Sequence, residues 1–293
     1  MRYGFYPGCT LHSTATEFGS SMEMTCAALG IELVEIPDWN CCGASSAHSL
    51  NHTLALALPT RDLAQAQQLG LTDIAIPCVA CYARMVTADY ALHNDAAFRA
   101  EMETALGFTY EGQVRPRHLL DILANDFASE ELVGKVTRPL QGLRVVSYYG
   151  CLLVRPPELT GRWDDPEQPQ TMDRLVELLG AEAVPWSYKV DCCGASLTLN
   201  RSDVVVHLVD RLVQAAHEAG ANAIVNACPM CMANVDGRQR FRGSPGRPGP
   251  TYVPMPVFYI TELLALAFGR PLDKVLGKHA IDPRPLLKGL HLV

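Results

Sequence analysis

Short apolar runs alternate with longer amphipathic stripes along this chain, and the alternation occurs twice. Runs typical of strands occupy 2–7, 31–36 and 73–77 in the first half and 143–149, 181–186 and 222–227 in the second. Stripes with helical spacing occupy 14–29, 49–70 and the segment from 79, and later 171–180, 201–219 and 230–241. We expect Pro59 to break or kink its helix. Strands that alternate with helices predict an α/β fold with parallel sheets.

Ten of the eleven cysteines repeat in the same order in both halves. Each half has a lone cysteine, then Cys-Cys-Gly, then Cys-x-x-Cys, at nearly equal spacings. The first set is Cys9, Cys41, Cys42, Cys78 and Cys81, and the second is Cys151, Cys192, Cys193, Cys228 and Cys231. The second half carries an extra Pro-rich loop at 155–170. The repeat predicts two tandem, pseudo-symmetric α/β lobes, with domain limits at 1–138 and 139–293.

Each cysteine motif follows one of the predicted strands. The carboxyl ends of parallel strands form the edge of a sheet where α/β proteins bind ligands. Several motifs also precede a predicted helix, whose N-terminal partial charge stabilises thiolates. We therefore expect three motifs to converge on one site in each lobe.

Composition excludes some classes of protein. The formal net charge is −7, which argues against nucleic-acid binding because no basic excess is present to neutralise phosphates. The most apolar segment, 259–268, is shorter than the ~20 residues of a membrane-spanning helix, and the N-terminal segment lacks the apolar stretch of a signal peptide. We expect a cytoplasmic location, where dense cysteine indicates metal or redox chemistry rather than disulfides.

The adjacent cysteines also argue against disulfides. Neighbouring Cα atoms lie about 3.8 Å apart, below the ~4.4–6.8 Å usual for a bridged pair. Five thiolates exceed the four that bind a tetrahedral zinc ion or an ordinary four-iron cubane. They would repel one another without metal, so two or more metal ions per site are expected. Iron with sulfide is favoured, and structural zinc is the alternative.

Both halves resemble the cysteine-rich CCG domain, and a chain of two such domains resembles the B subunit of heterodisulfide reductase. The resemblance covers about residues 1–260 and includes both complete motifs. It implies that each set of five cysteines binds a noncubane [4Fe-4S] cluster and that a disulfide is reduced between the two clusters. The methanogen members of the family reduce the mixed disulfide of coenzyme M and coenzyme B, as a step of methanogenesis. The resemblance also implies two partners in the heterodisulfide reductase complex, a ferredoxin-like subunit and a flavoprotein subunit.

Other functions use the same scaffold. One alternative is an electron-transfer or quinone-linked CCG subunit of another oxidoreductase. Another is a sulfur-oxidising subunit that acts on protein-bound sulfur.

A few polar residues near the motifs are candidates for catalysis. His12 follows Cys9 closely and His48 follows the first cysteine pair, so either imidazole could supply a proton. Lys189 and Arg155 flank motifs of the second half and could bind an anionic group of the substrate. Each of the four has an ordinary structural interpretation as well.

The remaining features have less specific interpretations. Cys26 lies on the apolar stripe of its helix and is expected to pack in the core. The Arg-, Gly- and Pro-rich segment 237–249 predicts a loop that could contact an acidic partner. The apolar tail 278–293 could dock on its own lobe or on another protein of the complex.

Overall fold

The computed structural model describes residues 1–44, 47–240 and 252–293, and each half of the chain folds around its own parallel sheet. The first half contains β1 (Arg2–Phe5), α1 (Gly8–Leu11), α2 (Thr16–Leu29), β2 (Glu32–Glu35), α3 (Ala47–Leu50), α4 (His52–Gln68), β3 (Asp73–Ile76), α5 (Val79–Asn94), α6 (Ala96–Leu106), β4 (Arg115–His118), α7 (Leu119–Asn125) and α8 (Ser129–Lys135).

The second half repeats the same succession of strands. It contains β5 (Arg144–Tyr148), α9 (Pro157–Thr160), α10 (Thr171–Leu178), β6 (Glu182–Ala183), α11 (Ser202–Glu218), β7 (Ala223–Asn226), α12 (Pro229–Val235), β8 (Val257–Tyr259), α13 (Ile260–Ala267), α14 (Asp273–Leu276) and α15 (Arg284–Gly289). Two short 3₁₀ turns lie at Ala195–Leu197 and Gly237–Arg240.

The two sheets have the same topology. The strand orders are β2-β1-β3-β4 and β6-β5-β7-β8, and every pair is parallel. In the first sheet, β2 lies on one side of β1 and β3 lies on the other, so the strand order switches between β1 and β3. The second sheet has the same switch between β5 and β7. Such switch points open a crevice at the carboxyl ends of the strands. This confirms the prediction of two tandem, pseudo-symmetric α/β lobes with parallel sheets; the exact domain limits stay a prediction.

The fourth strand of each sheet was not expected from the sequence. The residues of β4 read Arg-Pro-Arg-His, and Pro116 is tolerated because β4 lies at the edge of its sheet. An edge strand has one neighbouring strand, so its sequence needs no continuous apolar run. The central strand β3, by contrast, has Ile74, Ala75 and Ile76 wholly buried.

Three local expectations need correction. The helix predicted at 49–70 is two helices, because Asn51 begins α4 by accepting the backbone N–H of Leu54 at 2.8 Å. Helix α4 then continues through Pro59, which does not end it. The strand predicted at 181–186 is only Glu182–Ala183.

The two lobes pack directly against each other. Helices α2 and α13 meet face to face, with the rings of Phe18 and Tyr259 stacked at 4.1 Å between centroids. Ser21 Oγ and Thr261 Oγ1 are hydrogen-bonded at 2.8 Å beside this stack. The Pro-rich insertion of the second lobe reaches the first, where the carbonyl of Thr160 accepts the Tyr82 hydroxyl at 3.3 Å. The lobes are therefore held in a fixed relation.

The C-terminal tail docks on its own chain. Leu287 and Leu292 are buried, and the guanidinium of Arg138 donates to the carbonyl of Leu292 at 2.7 Å. The tail therefore docks on the protein itself, and docking on another protein of the complex stays a prediction.

Candidate metal centres

All six cysteine motifs lie at the carboxyl ends of strands, as the sequence predicts. Cys9 follows β1 and Cys78 follows β3, so the two flank the switch point of the first sheet. Cys151 and Cys228 flank the corresponding point of the second sheet. The adjacent pairs lie in the loops that leave the edge strands β2 and β6. The topology alone therefore collects five thiols in each lobe.

The inner cysteines of each site are close together. The Sγ atoms of Cys42 and Cys81 lie 3.2 Å apart, and those of Cys193 and Cys231 lie 3.7 Å apart. These four side chains, with Cys78 and Cys228, are buried. The outer cysteines face the other way: Cys9, Cys41 and Cys192 are exposed and Cys151 is half-buried. Each site thus has a closed inner side and an open mouth.

A glycine before each lone cysteine makes room for the sulfurs. Gly8 has a φ of +67°, and a Cβ at this position would lie 3.2 Å from the Sγ of Cys81. Gly150 has a φ of +72°, and its Cβ would lie 3.2 Å from the Sγ of Cys231. A larger residue would be strained by the backbone conformation and would push against a buried sulfur.

The lone cysteine and the leading cysteine of the adjacent pair polarise each other in the same way in both lobes. Hydrogen bonds from Cys42 and Cys9 lower the pKa of Cys41, and a hydrogen bond from Cys151 lowers the pKa of Cys192. The pKa of Cys9 is raised by its hydrogen bond to Cys41 and by burial, and the same two causes raise the pKa of Cys151 beside Cys192. In each lobe, the leading cysteine of the adjacent pair therefore ionises more readily than the lone cysteine beside it.

The two sites meet at the junction of the lobes. The thiols of Cys78 and Cys228 lie close enough for each to shift the pKa of the other. His118 lies beside them: its Nε2–H donates to the carbonyl of Pro77 at 3.2 Å, and the carbonyl of Ala227 lies near the same ring. Those carbonyls belong to the residues that immediately precede Cys78 and Cys228. One imidazole thus connects the two Cys-x-x-Cys loops.

The protonation of His118 agrees with this role. Burial lowers the pKa of His118 to about 4, so the ring is neutral at physiological pH. A neutral imidazole has one donor nitrogen and one acceptor nitrogen. Its Nδ1 accepts the backbone N–H of Leu120 at 3.1 Å, and its Nε2 carries the proton given to the carbonyl of Pro77.

The donor set suits an iron–sulfur group. Five sulfurs per site are soft ligands of the kind that iron–sulfur clusters use, and the two of each Cys-x-x-Cys motif lie at the N-terminus of α5 or α12. Crowded thiols at 3.2 Å would repel once ionised, and bound metal would remove that repulsion. Among the residues that the structure describes, no three Cys, His, Asp or Glu side chains converge closely enough to hold a single metal ion.

The contacts shown for the candidate histidines are with groups other than the cysteine sulfurs. His12 stacks on Trp39 with ring centroids 5.9 Å apart, and its Nε2 lies 3.6 Å from a carboxylate oxygen of Glu35. His48 is exposed in α3, with Nε2 3.4 Å from the hydroxyl of Ser49. A proton-donating role for either histidine stays a prediction.

The two candidate cations have protein partners. Lys189 is buried, and its ammonium donates to Asp173 and to the carbonyl of Pro169, each at 2.8 Å. Arg155 is bound within the insertion, where it donates to the carbonyl of Pro166 at 2.6 Å and pairs with Glu167. In this structure both residues hold the insertion in place. Their recognition of an anionic substrate stays a prediction.

Cys26 and the Arg-rich segment lie apart from the cysteine sites. Cys26 is buried on α2, and burial raises the pKa of its thiol to about 12. Most of the segment 237–249 falls outside the described residues. Arg238, which is described, donates to the carbonyl of Thr198 at 2.9 Å.

Sequence reasoning missed several supporting residues. His118 lies on an edge strand without an apolar pattern, so no local signal marks it. Asn226 accepts the backbone N–H of Cys228 at 2.9 Å, and Asn234 donates to the carbonyl of Cys193 at 3.1 Å. Their position next to a cysteine motif is the signal that could have found these two asparagines.

The fold and the sites define a tandem α/β protein with one cysteine-rich centre in each lobe. Comparison with known families agrees: the cysteine-rich CCG domain matches residues 3–86 and 145–236. The chain belongs to the CCG cysteine-rich domain family. Both matches include a complete set of five cysteines.

Relatives with established names fall into three groups. The 8-methylmenaquinol:fumarate reductase membrane anchor subunit of Wolinella succinogenes is 30% identical, over 97% of this chain and 98% of the relative. The B subunit of the ferredoxin/F420H2-dependent CoB-CoM heterodisulfide reductase of Methanosarcina acetivorans is 28% identical, over 94% and 91%. Lactate utilization protein A of Geobacillus kaustophilus is 24% identical, over 90% and 98%. The similarity to the heterodisulfide reductase relative bears out the resemblance drawn from the cysteine motifs.

A solved structure supports the fold. A hypothetical protein from Helicobacter pylori superimposes with a TM-score of 0.72 at 11% identity, covering 95% of this chain and 51% of that chain. In residues 1–44, 47–240 and 252–293, no helix combines the length and the apolar character needed to cross a bilayer.

Proposed function

We propose that this chain is the disulfide-reducing subunit of a heterodisulfide-reductase-type complex. Cys9, Cys41, Cys42, Cys78 and Cys81 would hold one noncubane [4Fe-4S] cluster, and Cys151, Cys192, Cys193, Cys228 and Cys231 the other. When bound, the clusters would supply one electron each and an iron site for each substrate sulfur. The reaction consumes two electrons and two protons and converts R–S–S–R′ to RSH and R′SH.

The observation that carries the proposal is the contact between Cys78 and Cys228. It brings two equivalent sites to one junction, and a disulfide has two equivalent sulfurs to meet them. Thiol exchange through protein cysteines is the competing route, but it needs a free thiol of low pKa. Cys26, the thiol left over by the two sites, is buried and its pKa is raised to about 12.

The chain's own residues would position the substrate. The open mouths at Cys9, Cys41 and Cys192 admit a ligand from solvent, whereas the closed inner side excludes water from the junction. His12 and His48 are candidates to deliver the two protons. We propose that electrons come from the ferredoxin-like and flavoprotein subunits of such a complex, and that the complex works in the cytoplasm.

Metal analysis and electron paramagnetic resonance (EPR) of anaerobically reconstituted protein test this proposal. Two four-iron clusters require roughly eight iron and eight sulfide ions per chain. After oxidation, addition of a thiol should produce a new paramagnetic signal, because one substrate sulfur then binds a cluster. Zinc in place of iron, or an EPR spectrum indifferent to thiols, would contradict the proposal.

A second function is favoured by the Wolinella relative, which is a subunit of an 8-methylmenaquinol:fumarate reductase and matches almost the whole chain. Here the clusters would pass electrons from a quinol to another protein of the complex. Reduction of the clusters by a menaquinol analogue, without any response to thiols, would favour this alternative. In a sulfur-oxidising protein, the EPR spectrum of the clusters would instead change on addition of a protein-bound persulfide.

A further inference from the structure

A buried tyrosine lies three residues before the lone cysteine of each lobe. These residues, Tyr6 and Tyr148, are almost wholly inaccessible to solvent. The Tyr6 hydroxyl donates to the carbonyl of Asn40 at 2.8 Å, and the Tyr148 hydroxyl donates to the carbonyl of Asp191 at 2.7 Å. Asn40 and Asp191 immediately precede the Cys-Cys-Gly motifs. In both lobes, one phenol therefore connects the lone-cysteine segment to the loop that carries the adjacent pair.

The tyrosine rings also border the inner side of each site. The position where Gly8 would carry a Cβ lies 3.4 Å from the Tyr6 ring and 3.2 Å from the Sγ of Cys81. The corresponding position at Gly150 lies 3.9 Å from the Tyr148 ring and 3.2 Å from the Sγ of Cys231. The ring, the glycine and a buried sulfur thus meet at one point in each lobe.

A tryptophan closes each ring from the other side. Trp39 and Tyr6 form a T-shaped pair with ring centroids 5.5 Å apart, and Trp186 and Tyr148 form one at 6.2 Å. The tryptophans occupy different positions relative to the cysteine pairs, Trp39 two residues before its pair and Trp186 further upstream. The two lobes thus form the same tyrosine–tryptophan pair from different sequence positions. This indicates that both sites require an aromatic contact at this tyrosine.

We propose that Tyr6 and Tyr148 are positioning residues, one for each cluster, and this rests on the proposed function. Each hydroxyl fixes the Cys-Cys-Gly loop against the lone-cysteine segment before metal binds. Each ring forms an apolar floor that keeps water from the inner sulfurs. The consequence is specific: each tyrosine controls the site in its own lobe and leaves the other site unchanged.

The test uses Tyr6→Phe and Tyr148→Phe in the full-length chain, with Tyr3→Phe as the matched control. Tyr3 is buried on β1, the strand that leads to Tyr6, but its hydroxyl donates to Asp126 at 2.6 Å. In the reduced, metal-free protein, alkylation by a maleimide is followed by peptide mass spectrometry. Loss of one hydrogen bond should raise the alkylation rate at Cys41 roughly tenfold in Tyr6→Phe and leave Cys192 unchanged. Tyr148→Phe should do the reverse, and Tyr3→Phe should change neither.

The reconstituted protein gives a second readout. Iron release to a chelator should become biphasic in each variant, with only the half held by the altered lobe released faster. Equal acceleration at both sites, an equal effect of Tyr3→Phe, or no effect in either variant would overturn the assignment. Should Tyr6→Phe not fold, Tyr148→Phe makes the same test, and failure of both to fold would assign the tyrosines to core packing alone. Wild-type protein that takes up no iron would contradict the proposed function, whereas the alkylation pattern would still decide the role of the tyrosines.

Discussion

Cys78 of one lobe and Cys228 of the other are neighbours at the junction of the lobes, where each thiol shifts the pKa of the other, and both side chains are buried. Each is the first cysteine of its Cys-x-x-Cys motif and caps the helix that follows. The two candidate metal centres therefore face each other at their buried inner sides, whereas their mouths open to solvent at Cys41 and Cys192.

The proposed function divides the cysteines into ten cluster ligands and one core residue. Cys41→Ser should remove the iron of the first site and Cys193→Ala that of the second, because each variant deletes a thiolate ligand. Cys26→Ala should keep the full iron content and lower the free energy of unfolding by about 1 kcal/mol, the cost of truncating a small buried side chain. Iron analysis and chemical denaturation check both parts. Iron loss in Cys26→Ala would make Cys26 a ligand.

Metal removal should destabilise the fold. The closely packed thiols of Cys42 and Cys81, 3.2 Å apart, would repel on ionisation once metal is gone. We expect anaerobic chelation to lower the melting temperature by roughly 5–10 °C, as the loss of a few kcal/mol would do in a chain of this size. Calorimetry before and after chelation measures the change. An unaltered melting temperature would mean that the lobes are held without help from metal.

His118 should set the spacing between the two centres. His118→Phe leaves the carbonyl of Pro77 without its imidazole donor and removes the polar ring beside Ala227, and we expect it to lower the free energy of unfolding by about 1–3 kcal/mol. EPR of the reconstituted variant should also show weaker magnetic interaction between the clusters.

Two further variants make the His118 experiment specific. His118→Asn keeps an N–H donor and should recover part of the interaction. The control is His207→Phe, since His207 is exposed on α11. A magnetic interaction that persists in His118→Phe would restrict His118 to a role in stability.

Stability should fall at alkaline pH because of a buried ion pair. His279 Nε2 lies 2.9 Å from Glu262 Oε1, and both side chains are almost wholly buried. Burial lowers the pKa of His279, but the carboxylate of Glu262 outweighs it and raises the pKa to about 9, with Asp236 and Glu17 adding to the effect. The pair contributes its full share to the free energy of unfolding below pH 6.5, the ordinary pKa of histidine. This contribution disappears as the pH rises through 9.

The measurement compares urea unfolding at pH 6.5 and at pH 9 for the wild type and for His279→Gln. Between pH 6.5 and pH 9, the free energy of unfolding should fall by up to roughly 3 kcal/mol more in the wild type than in the variant. The difference between the two proteins removes the contribution of the cysteines, which titrate in the same range. Equal losses in both would show that His279 is not protonated in the folded state.

The sequence by itself determined the cysteine-rich centres and the class of fold. Strand periodicity and the placement of each motif after a strand are local properties of the sequence. They could therefore be predicted without knowledge of the tertiary packing. The topology of parallel sheets then required the three motifs of each half to meet at one edge. The repeat of five cysteines made the two halves equivalent.

The tertiary structure decided how the lobes meet and what supports the sulfurs. The contact between Cys78 and Cys228 depends on the packing of α2 against α13, which no local pattern encodes. His118 lies on an edge strand that needs no apolar run, because only one side of it pairs with another strand. Tyr6 is marked in the sequence only as an apolar strand residue, and its hydrogen bond to Asn40 exists because parallel strands bring distant loops together. Such contacts join residues far apart in the chain, and packing rather than periodicity fixes them.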